Sequence, residues 1–277
     1  MKGTLLIVLT ATLTVGFMQP ARGDNHGHDD HVNALSQIAK GEHRPAAWIE
    51  RNRYRNPAET LSFFGLEPDM TVVELFPSGG WYTSVIAPFV KDEGQFIAAH
   101  WDMSQEDLPD FYREAYASYE ERVSDRERYG EVRIIPFNPP ERSTLVENGQ
   151  ADLIVTFRNV HGWKRDGKMR DVLKAAHAAL KPGGVLGVVG HRMPEDREVA
   201  EDDRSGYVKQ SWMVGMAESE GFRLEAVSEI NANPEDTADH PNGVWTLLPS
   251  LRTGDEDPEK YRAIGESDRF TLKFVKR

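Results

Sequence analysis

Short β-rich apolar runs alternate with helical segments along most of this chain, and the alternation constrains the fold more than any other feature. The predicted strands cover residues 71–76, 94–100, 132–136, 152–157, 185–190, 222–230 and 269–275. Strands that are separated by helices are joined by crossover connections, which align them in parallel in one sheet. The pattern therefore predicts an α/β fold, a doubly wound and mostly parallel seven-stranded sheet with helices on both faces.

The predicted elements form a single domain over residues 33–277. Residues 24–32 precede it as a polar, His- and Asp-rich stretch without periodicity, which predicts a disordered tail. Residues 231–268 interrupt the domain with a long insertion that carries several prolines. A structureless stretch of this length is usually functional, so the insertion is interpreted either as a lid over a site or as a surface excursion packed by Trp245 and Leu247.

The first residues predict an export signal. Lys2 precedes an apolar run over residues 5–17, and the small residues Ala21 and Gly23 lie around a cleavable bond. This is typical of a secretory signal peptide over residues 1–23, so we expect cleavage after Gly23 and a periplasmic or secreted protein. The apolar run is shorter than the roughly 20 residues that a bilayer span needs, so no stable membrane insertion is expected after cleavage.

Charge and cysteine content exclude several classes of function. The chain has 33 basic and 45 acidic residues, a formal net charge of -12, and no run rich in Lys or Arg. Because neutralisation of phosphates supplies most of the affinity for nucleic acids, neither DNA nor RNA is expected as a partner. The absence of cysteine excludes disulfides, thiolate nucleophiles and cysteine-ligated metals. Chemistry must come from other side chains or from a cofactor, and no metal site is predicted.

A glycine turn follows the first predicted strand in the segment VVELFPSGGWY. In an open α/β sheet, ligands bind beyond the carboxyl ends of the strands, where the strand order reverses. Glu74 lies near the end of this strand, and Gly79 and Gly80 open the next helix. Glycines allow the backbone to approach a ligand closely, and the N–H groups of the helix face it. The sequence therefore predicts a nucleotide-like ligand at this turn.

Several spaced motifs together resemble one protein family. VVELFPSGGWY, GQFIAAHWD, ADLIVTFRNVHGW and LKPGGVLGVVG follow one another in this order. Over residues 45–277 the arrangement resembles the Rossmann-like (class I) S-adenosylmethionine-dependent methyltransferases. More narrowly, ETLSFFG, PSGGWYTSVIAP, NPEDT, GVWTL and ESDRFTLKFVK are similar to a family of predicted bacterial methyltransferases with signal peptides. The resemblance implies the fold, S-adenosyl-L-methionine as cofactor and a transferase activity. It names no acceptor, so a small molecule is the default expectation, and no oligomeric state is predicted.

The resemblance also implies cofactor-binding residues. Glu74 matches the acid at the end of the first strand, and Gly80 matches the last glycine of the D-x-G-x-G-x-G motif. Phe76 and Ser78 depart from the motif, because they stand where it has glycines. The predicted cofactor-binding residues are Glu74, Pro77, Gly79, Gly80, Trp81, His100, Asp102, Phe137 and Asn159.

The roles expected of these residues differ. His100 and Asp102 fall at the end of the second strand, where the family often has an acid that binds ribose. Trp81 and Phe137 could stack on adenine, although plain packing is the alternative. Asn159 follows the fourth strand and is expected at the cleft.

Two histidines are the candidate catalytic residues. Methyl transfer needs a general base only if the acceptor must lose a proton. His161 and His191 follow the fourth and fifth strands, and either could serve near neutral pH. The alternative is a structural role at a strand end. Arg204 and Tyr207 are candidate substrate contacts.

Two other classes of function stay open. A periplasmic protein that binds a small molecule without catalysis could use the same fold, since fold does not imply function. A nicotinamide-dependent oxidoreductase is the second alternative. It would need G-x-G-x-x-G after the first strand and an acid closing the second, and the sequence has neither.

Overall fold

The computed structural model describes residues 25–200 and 203–277. Its strands are β1 (Thr71–Leu75), β2 (Gln95–Trp101), β3 (Val132–Phe137), β4 (Ala151–Phe157), β5 (Leu180–Met193), β6 (Val208–Lys209), β7 (Phe222–Ser228) and β8 (Arg269–Lys276). Its helices are α1 (Asn25–Ala39), α2 (Ala46–Ile49), α3 (Asn52–Arg55), α4 (Pro57–Phe64), α5 (Thr83–Val90), α6 (Asp110–Val123), α7 (Arg126–Tyr129), α8 (Val160–Arg165), α9 (Met169–Ala179), α10 (Gln210–Ser219) and α11 (Pro258–Ile264). A short 3-10 helix covers Gly243–Thr246.

The strands form a mixed, mostly parallel sheet in the order β3-β2-β1-β4-β5-β8-β7. The first five strands of this order are parallel, and β8 is antiparallel to both β5 and β7. The two-residue strand β6 pairs with the end of β5, and it was too short to predict. The predicted fold class is confirmed. Because the strand order reverses between β1 and β4, the ligand-binding edge expected for this fold lies beyond their carboxyl ends.

Helices cover both faces of the sheet. Val72 faces one apolar cluster with Leu61 of α4 and Val85 of α5, whereas Val73 faces another with Val172 of α9. Burial on both faces explains why the parallel strands read as nearly continuous apolar runs. In residues 25–200 and 203–277, no helix is long and apolar enough to cross a membrane.

The amino-terminal region differs from its prediction. Helix α1 begins at Asn25, so the predicted disordered tail is wrong over residues 25–32. The polar sequence shows no apolar periodicity, but the structure anchors the helix through His31, whose Nδ1 lies 2.6 Å from Glu67 Oε2. The predicted signal peptide, residues 1–23, lies outside the described residues.

Candidate ligand-binding cleft

The loop after β1 adopts backbone conformations that favour glycine. Phe76, Ser78 and Gly80 have φ angles of 50°, 53° and 86°. These are the three positions at which the D-x-G-x-G-x-G motif has glycines. Two non-glycine residues therefore adopt left-handed conformations that side chains usually avoid, and such strain persists only where the surroundings enforce it.

The side chains of Asn159 and His100 hold this loop by hydrogen bonds to backbone carbonyl groups. Asn159 Nδ2 donates to Leu75 O at 2.9 Å, and His100 Nε2 donates to Ser78 O at 3.0 Å. The backbone N–H of Trp101 donates to His100 Nδ1 at 2.9 Å, so the two contacts together require a neutral imidazole with its proton on Nε2. Burial lowers the pKa of His100 to about 4, which agrees with that tautomer.

Glu74 is the buried acid beside the loop. Only 3% of it is exposed, and Thr83 Oγ1 donates to its Oε2 at 2.6 Å. Burial raises the pKa of Glu74 to about 8. The carboxyl group is therefore mostly protonated at neutral pH, and it adds little negative charge to the site.

Three cavities meet beyond the carboxyl ends of β1 and β4. The Glu74 cavity has a volume of about 270 Å³ and the Tyr112 cavity about 490 Å³. They share Phe76, Trp101, Asn159, His161 and Trp245. The Arg204 cavity, about 460 Å³, adjoins them at His161 and Trp245. We refer to the Glu74 and Tyr112 cavities together as the cleft.

The cleft brings together seven of the predicted site residues. The Glu74 cavity is lined by Glu74, Pro77, Trp81, Asn159, His161 and His191. The Tyr112 cavity is lined by Phe137, Asn159 and His161. Among the residues that the structure describes, Gly79, Gly80, His100 and Asp102 line none of the three cavities.

The structure gives three of those four residues other roles. A Cβ atom at Gly80 would lie 3.1 Å from the ring of Tyr119, so this glycine makes room for packing rather than for a ligand. By contrast, a Cβ atom at Gly79 would lie 4.0 Å from Trp48, an ordinary contact that does not require a glycine. His100 is fully buried under the loop, and Asp102 pairs with Arg142 at 2.9 Å. Neither His100 nor Asp102 therefore lines the cleft.

The aromatic residues of the cleft also differ from expectation. Trp81 is 6% exposed, and the guanidinium groups of Arg44 and Arg55 lie 4.5 and 4.8 Å from its ring centroid. Phe137 is fully buried. Both therefore pack in the protein instead of presenting a free face for stacking. Trp101 and Tyr112, whose ring centroids are 4.4 Å apart, are two of the half-buried aromatic residues of the Tyr112 cavity, along with Phe76 and Trp245. The sequence analysis missed Trp101 and Tyr112, although Trp101 ends a strand at the expected edge.

The two candidate catalytic histidines lie side by side, with ring centroids 5.6 Å apart. His161 lines all three cavities, and His191 lies 2.5 Å from Ser267 Oγ through its Nδ1. Burial, followed by the charges of Arg158 and Arg165, lowers the pKa of His161 to about 4. Burial and then the neighbouring His161 hold the pKa of His191 well below its usual value. Both imidazoles are therefore neutral at neutral pH.

An arginine cluster, defined as Arg51, Arg55, Arg158 and Arg269, surrounds the buried carboxylate of Glu266. The Nε atoms of Arg51 and Arg55 lie 2.5 and 2.9 Å from it, and Arg269 Nη2 lies 3.3 Å away. Burial alone would raise the pKa of Glu266, but Arg55, Arg269 and Arg158 together hold it below its usual value. The sequence analysis did not identify this cluster.

The insertion both packs on the domain and reaches the cleft. Its Leu247 is fully buried, whereas Trp245, Leu248 and Pro249 line the Glu74 cavity. Asp236 accepts a hydrogen bond from Tyr207 Oη at 2.9 Å, which ties the insertion to the residue before β6. Residues 231–268 thus pack on the domain and also line the cleft, and a lid function stays a prediction.

The predicted substrate contacts Arg204 and Tyr207 lie at the Arg204 cavity, which is also lined by Lys164, Arg165 and Arg252. Tyr207 is only 1% exposed, and its hydroxyl group is used by Asp236. Arg204 is exposed. Of the two residues, Arg204 has the freer side chain at this cavity.

No protein-family model matches this sequence, and no curated protein sequence matches it. Solved structures do share the fold. A SAM dependent methyltransferase from Aquifex aeolicus is 15% identical, with a TM-score of 0.55 over 88% of this chain and 98% of its own. The [4+2]-cyclase SpnF is 12% identical, with a TM-score of 0.59 over 89% of this chain and 93% of its own. A putative sarcosine dimethylglycine methyltransferase from Galdieria sulphuraria is 12% identical, with a TM-score of 0.54 over 89% of this chain and 98% of its own.

At these identities the similarity establishes a Rossmann-like methyltransferase fold and nothing finer. One of the three structures is described as a cyclase. The reaction must therefore be argued from the site and not from the fold.

Proposed function

We propose that this protein is an S-adenosyl-L-methionine-dependent methyltransferase that acts on a small-molecule acceptor after export. The observation that carries the proposal is the left-handed loop at Phe76, Ser78 and Gly80, which lies beside the buried Glu74 where the strand order reverses. The adjoining cleft has the size and the mixed apolar and polar lining of a small-molecule site.

The residues of the cleft fit this cofactor in two parts. Trp101 and Tyr112 would hold the adenine ring in the Tyr112 cavity, since aromatic side chains bind bases by stacking. The loop residues Pro77 and Ser78, together with Glu74, would hold the methionine end. When bound, the cofactor would supply a methyl group on a positively charged sulfur. Because that charge is lost on transfer, positioning and exclusion of water matter more than acid–base chemistry.

His161 is the candidate general base. It lies where the cleft adjoins the Arg204 cavity, so an acceptor bound in that cavity would meet the cleft at this side chain. Its imidazole is neutral at neutral pH and can accept the proton that the acceptor loses. With a pKa of about 4 it is a weak base, which suits an acceptor that becomes acidic as its new bond forms.

Titration calorimetry with S-adenosylmethionine and its demethylated product, S-adenosylhomocysteine, tests the proposal. We expect binding of both compounds by the parent protein and a dissociation constant about tenfold higher for Tyr112→Ala, because a stacking surface is lost. Tyr116→Ala is the matched control, since Tyr116 lies on the same helix and lines none of the three cavities among the described residues. Absence of binding by the parent would remove the enzyme proposal.

A non-catalytic periplasmic binding protein is the second candidate. It is favoured by the two non-glycine residues in the loop, Phe76 and Ser78, which alter the family motif. Cofactor binding without transfer to any acceptor in a radiolabelled-methyl screen would support this candidate.

The export part of the proposal has its own test. Mass spectrometry of the mature protein, expressed with its native amino terminus, should find Asp24 as the first residue. A mature chain that retains residues 1–23 would contradict the proposed cleavage.

A further inference from the structure

The arginine cluster carries more positive charge than its surroundings neutralise. Three of its guanidinium groups contact the carboxylate of Glu266, and the charge of Arg158 acts on it from farther away, so four positive charges and one negative charge leave a local net charge of +3. Arg55 and Arg269 are 1% and 2% exposed. Burial of unbalanced charge is costly, because the interior cannot replace the hydration of an ion.

Within residues 25–200 and 203–277, no second carboxylate lies within salt-bridge distance of the arginine cluster, although the charge of Asp268 acts on Arg269 from farther away. Glu74 is mostly protonated at neutral pH. The carboxylate of Asp268 is held by the forked guanidinium of Arg192, at 2.8 and 3.0 Å. His161 and His191 are neutral and bring no charge of either sign. The excess therefore stays with the arginine cluster.

Several nitrogen atoms of the cluster have no acceptor. Arg55 Nη1 and Nη2, Arg51 Nη2 and Arg158 Nε are buried and have no hydrogen-bond partner within residues 25–200 and 203–277. Buried guanidinium donors are normally satisfied, so such atoms point to a missing partner. Arg158 also has a φ angle of 65°, a strained conformation for a non-glycine residue.

The arginine cluster borders the cleft through Arg158 and its partner Glu266. Arg158, Glu266 and Ser267 line the Glu74 cavity together with the loop residues Pro77 and Ser78. An anionic group in this cavity would lie next to the excess positive charge. Guanidinium groups bind carboxylates through paired, charge-assisted hydrogen bonds, which matches the donors left without acceptors.

We propose that the arginine cluster is a subsite for the carboxylate group of a ligand, with Arg158 as its contact residue in the Glu74 cavity. The subsite itself follows from charge and burial, whereas the identity of the ligand rests on the proposed function. Under that function the carboxylate belongs either to the methionine end of the cofactor or to an acidic acceptor. The chemistry is the same in both cases, and experiment can separate the two sources.

The first experiment uses acetate as the probe and needs no cofactor. Thermal unfolding of the full-length mature protein is followed in sodium acetate and in sodium chloride at equal ionic strength and neutral pH. Acetate at about ten times its dissociation constant should raise the Tm by about 3–5 °C. Arg158→Met should lose this rise, and its Tm in chloride should equal or exceed that of the parent because an unbalanced buried cation is gone.

Two further variants support the interpretation. Arg158→Gln keeps a polar side chain without the charge and should behave as Arg158→Met does. Arg223→Met removes an exposed arginine that pairs with Glu225 at the sheet edge, and it should keep the full acetate effect. Equal protection of the parent by acetate and chloride would overturn the proposal. A strong loss of stability of both Arg158 variants in chloride would also overturn it, because the cluster would then be balanced already.

The second experiment identifies the source of the carboxylate. Dissociation constants are measured for S-adenosylhomocysteine, which has a carboxylate, and for methylthioadenosine, which lacks one. If the cofactor is the source, Arg158→Met should weaken only S-adenosylhomocysteine, by about tenfold or more. If the acceptor is the source, neither constant should change, although acetate still protects the parent.

The outcomes separate this inference from the proposed function. Protection by acetate without binding of either nucleoside would support the subsite and reject the methyltransferase. Binding of S-adenosylhomocysteine by the parent and by Arg158→Met alike, with no acetate effect, would reject the subsite and leave the methyltransferase standing.

Discussion

Replacement of Glu266 by Gln tests how strongly this one carboxylate stabilises the arginines around it. Glu266 is 3% exposed and lies within 3.3 Å of guanidinium nitrogens from Arg51, Arg55 and Arg269. Gln keeps the shape of the side chain but removes the charge, and its NH₂ group would meet other donors. Removal of one partner from a buried ion pair costs about 3–5 kcal/mol, because the remaining charge stays buried and unpaired.

This loss is large enough to measure by thermal unfolding. A domain of this size loses about 2–4 °C of Tm per kcal/mol, so Glu266→Gln should lower the Tm by about 6–20 °C at neutral pH. Circular dichroism in the far ultraviolet follows the transition. Glu225→Gln is the control, since Glu225 is 41% exposed and its ion pair with Arg223 contributes about 0–1 kcal/mol.

The stabilisation by Glu266 depends on pH with a definite sign. The arginines hold the pKa of Glu266 in the folded protein below its usual value. The stabilisation is therefore fully present above the pKa of the unfolded chain, about 4.3, and is lost as the pH falls through the folded value. The difference in Tm between the parent and Glu266→Gln should be constant near neutral pH and shrink in acid. A variant that melts within about 2 °C of the parent at neutral pH would refute the charge argument.

Three further predictions concern the loop and the catalytic residues. Ser78→Gly should raise the free energy of unfolding by up to about 1 kcal/mol, because relief of the left-handed strain exceeds the entropy that glycine adds to the unfolded chain. Unfolding in urea measures this free energy, and a clear decrease would show that Ser78 is not strained. Gly80→Val should lower the Tm in thermal unfolding, because the added side chain would contact Tyr119. An unchanged Tm together with loss of ligand binding in calorimetry would show instead that Gly80 contacts the ligand. His161→Ala should slow methyl transfer by about 10²-fold or more if His161 is the base, and an unchanged kcat would leave it a structural role.

The sheet could be predicted because its signal is local. A buried parallel strand needs a short run of apolar residues, and Thr71–Leu75 or Ala151–Phe157 shows this without knowledge of the neighbouring strands. The first part of the amino-terminal helix, residues 25–32, was missed for the opposite reason. Contacts such as that of His31 with Glu67 come from the tertiary structure and leave no periodic pattern in the sequence.

Position in a motif predicted the edge of the sheet but not which side chains face the cleft. Trp101 follows His100 directly, yet Trp101 lines the cleft and His100 is buried under the loop. Successive side chains of a strand point in opposite directions, so a shift of one position exchanges a ligand contact for a packing residue. The loop PSGG has the length that the motif predicts. Its geometry, however, depends on contacts with His100 of β2 and with Asn159, which follows β4.

The arginine cluster left no local signal at all. Arg55 and Glu266 are 211 residues apart in sequence, and each taken alone resembles an ordinary surface charge. Their burial follows from the packing of α3 and the start of β8 against the same end of the sheet. A sequence can reveal such a pair only once the topology is known.

The position of β8 also sets the order in which this chain can fold. In the described sheet, β7 pairs with β8 alone. It therefore has no partner strand until residues 269–276, which follow the whole insertion in sequence, join the sheet. Pairing between segments so distant along the chain requires closure of long loops, which slows folding. Until β8 docks, one edge of β5 is unpaired, and Arg55 lacks its ion-pair partner Glu266. Residues 266–276 thus complete the sheet and also supply the countercharge of Glu266, so we expect their docking to come late in folding.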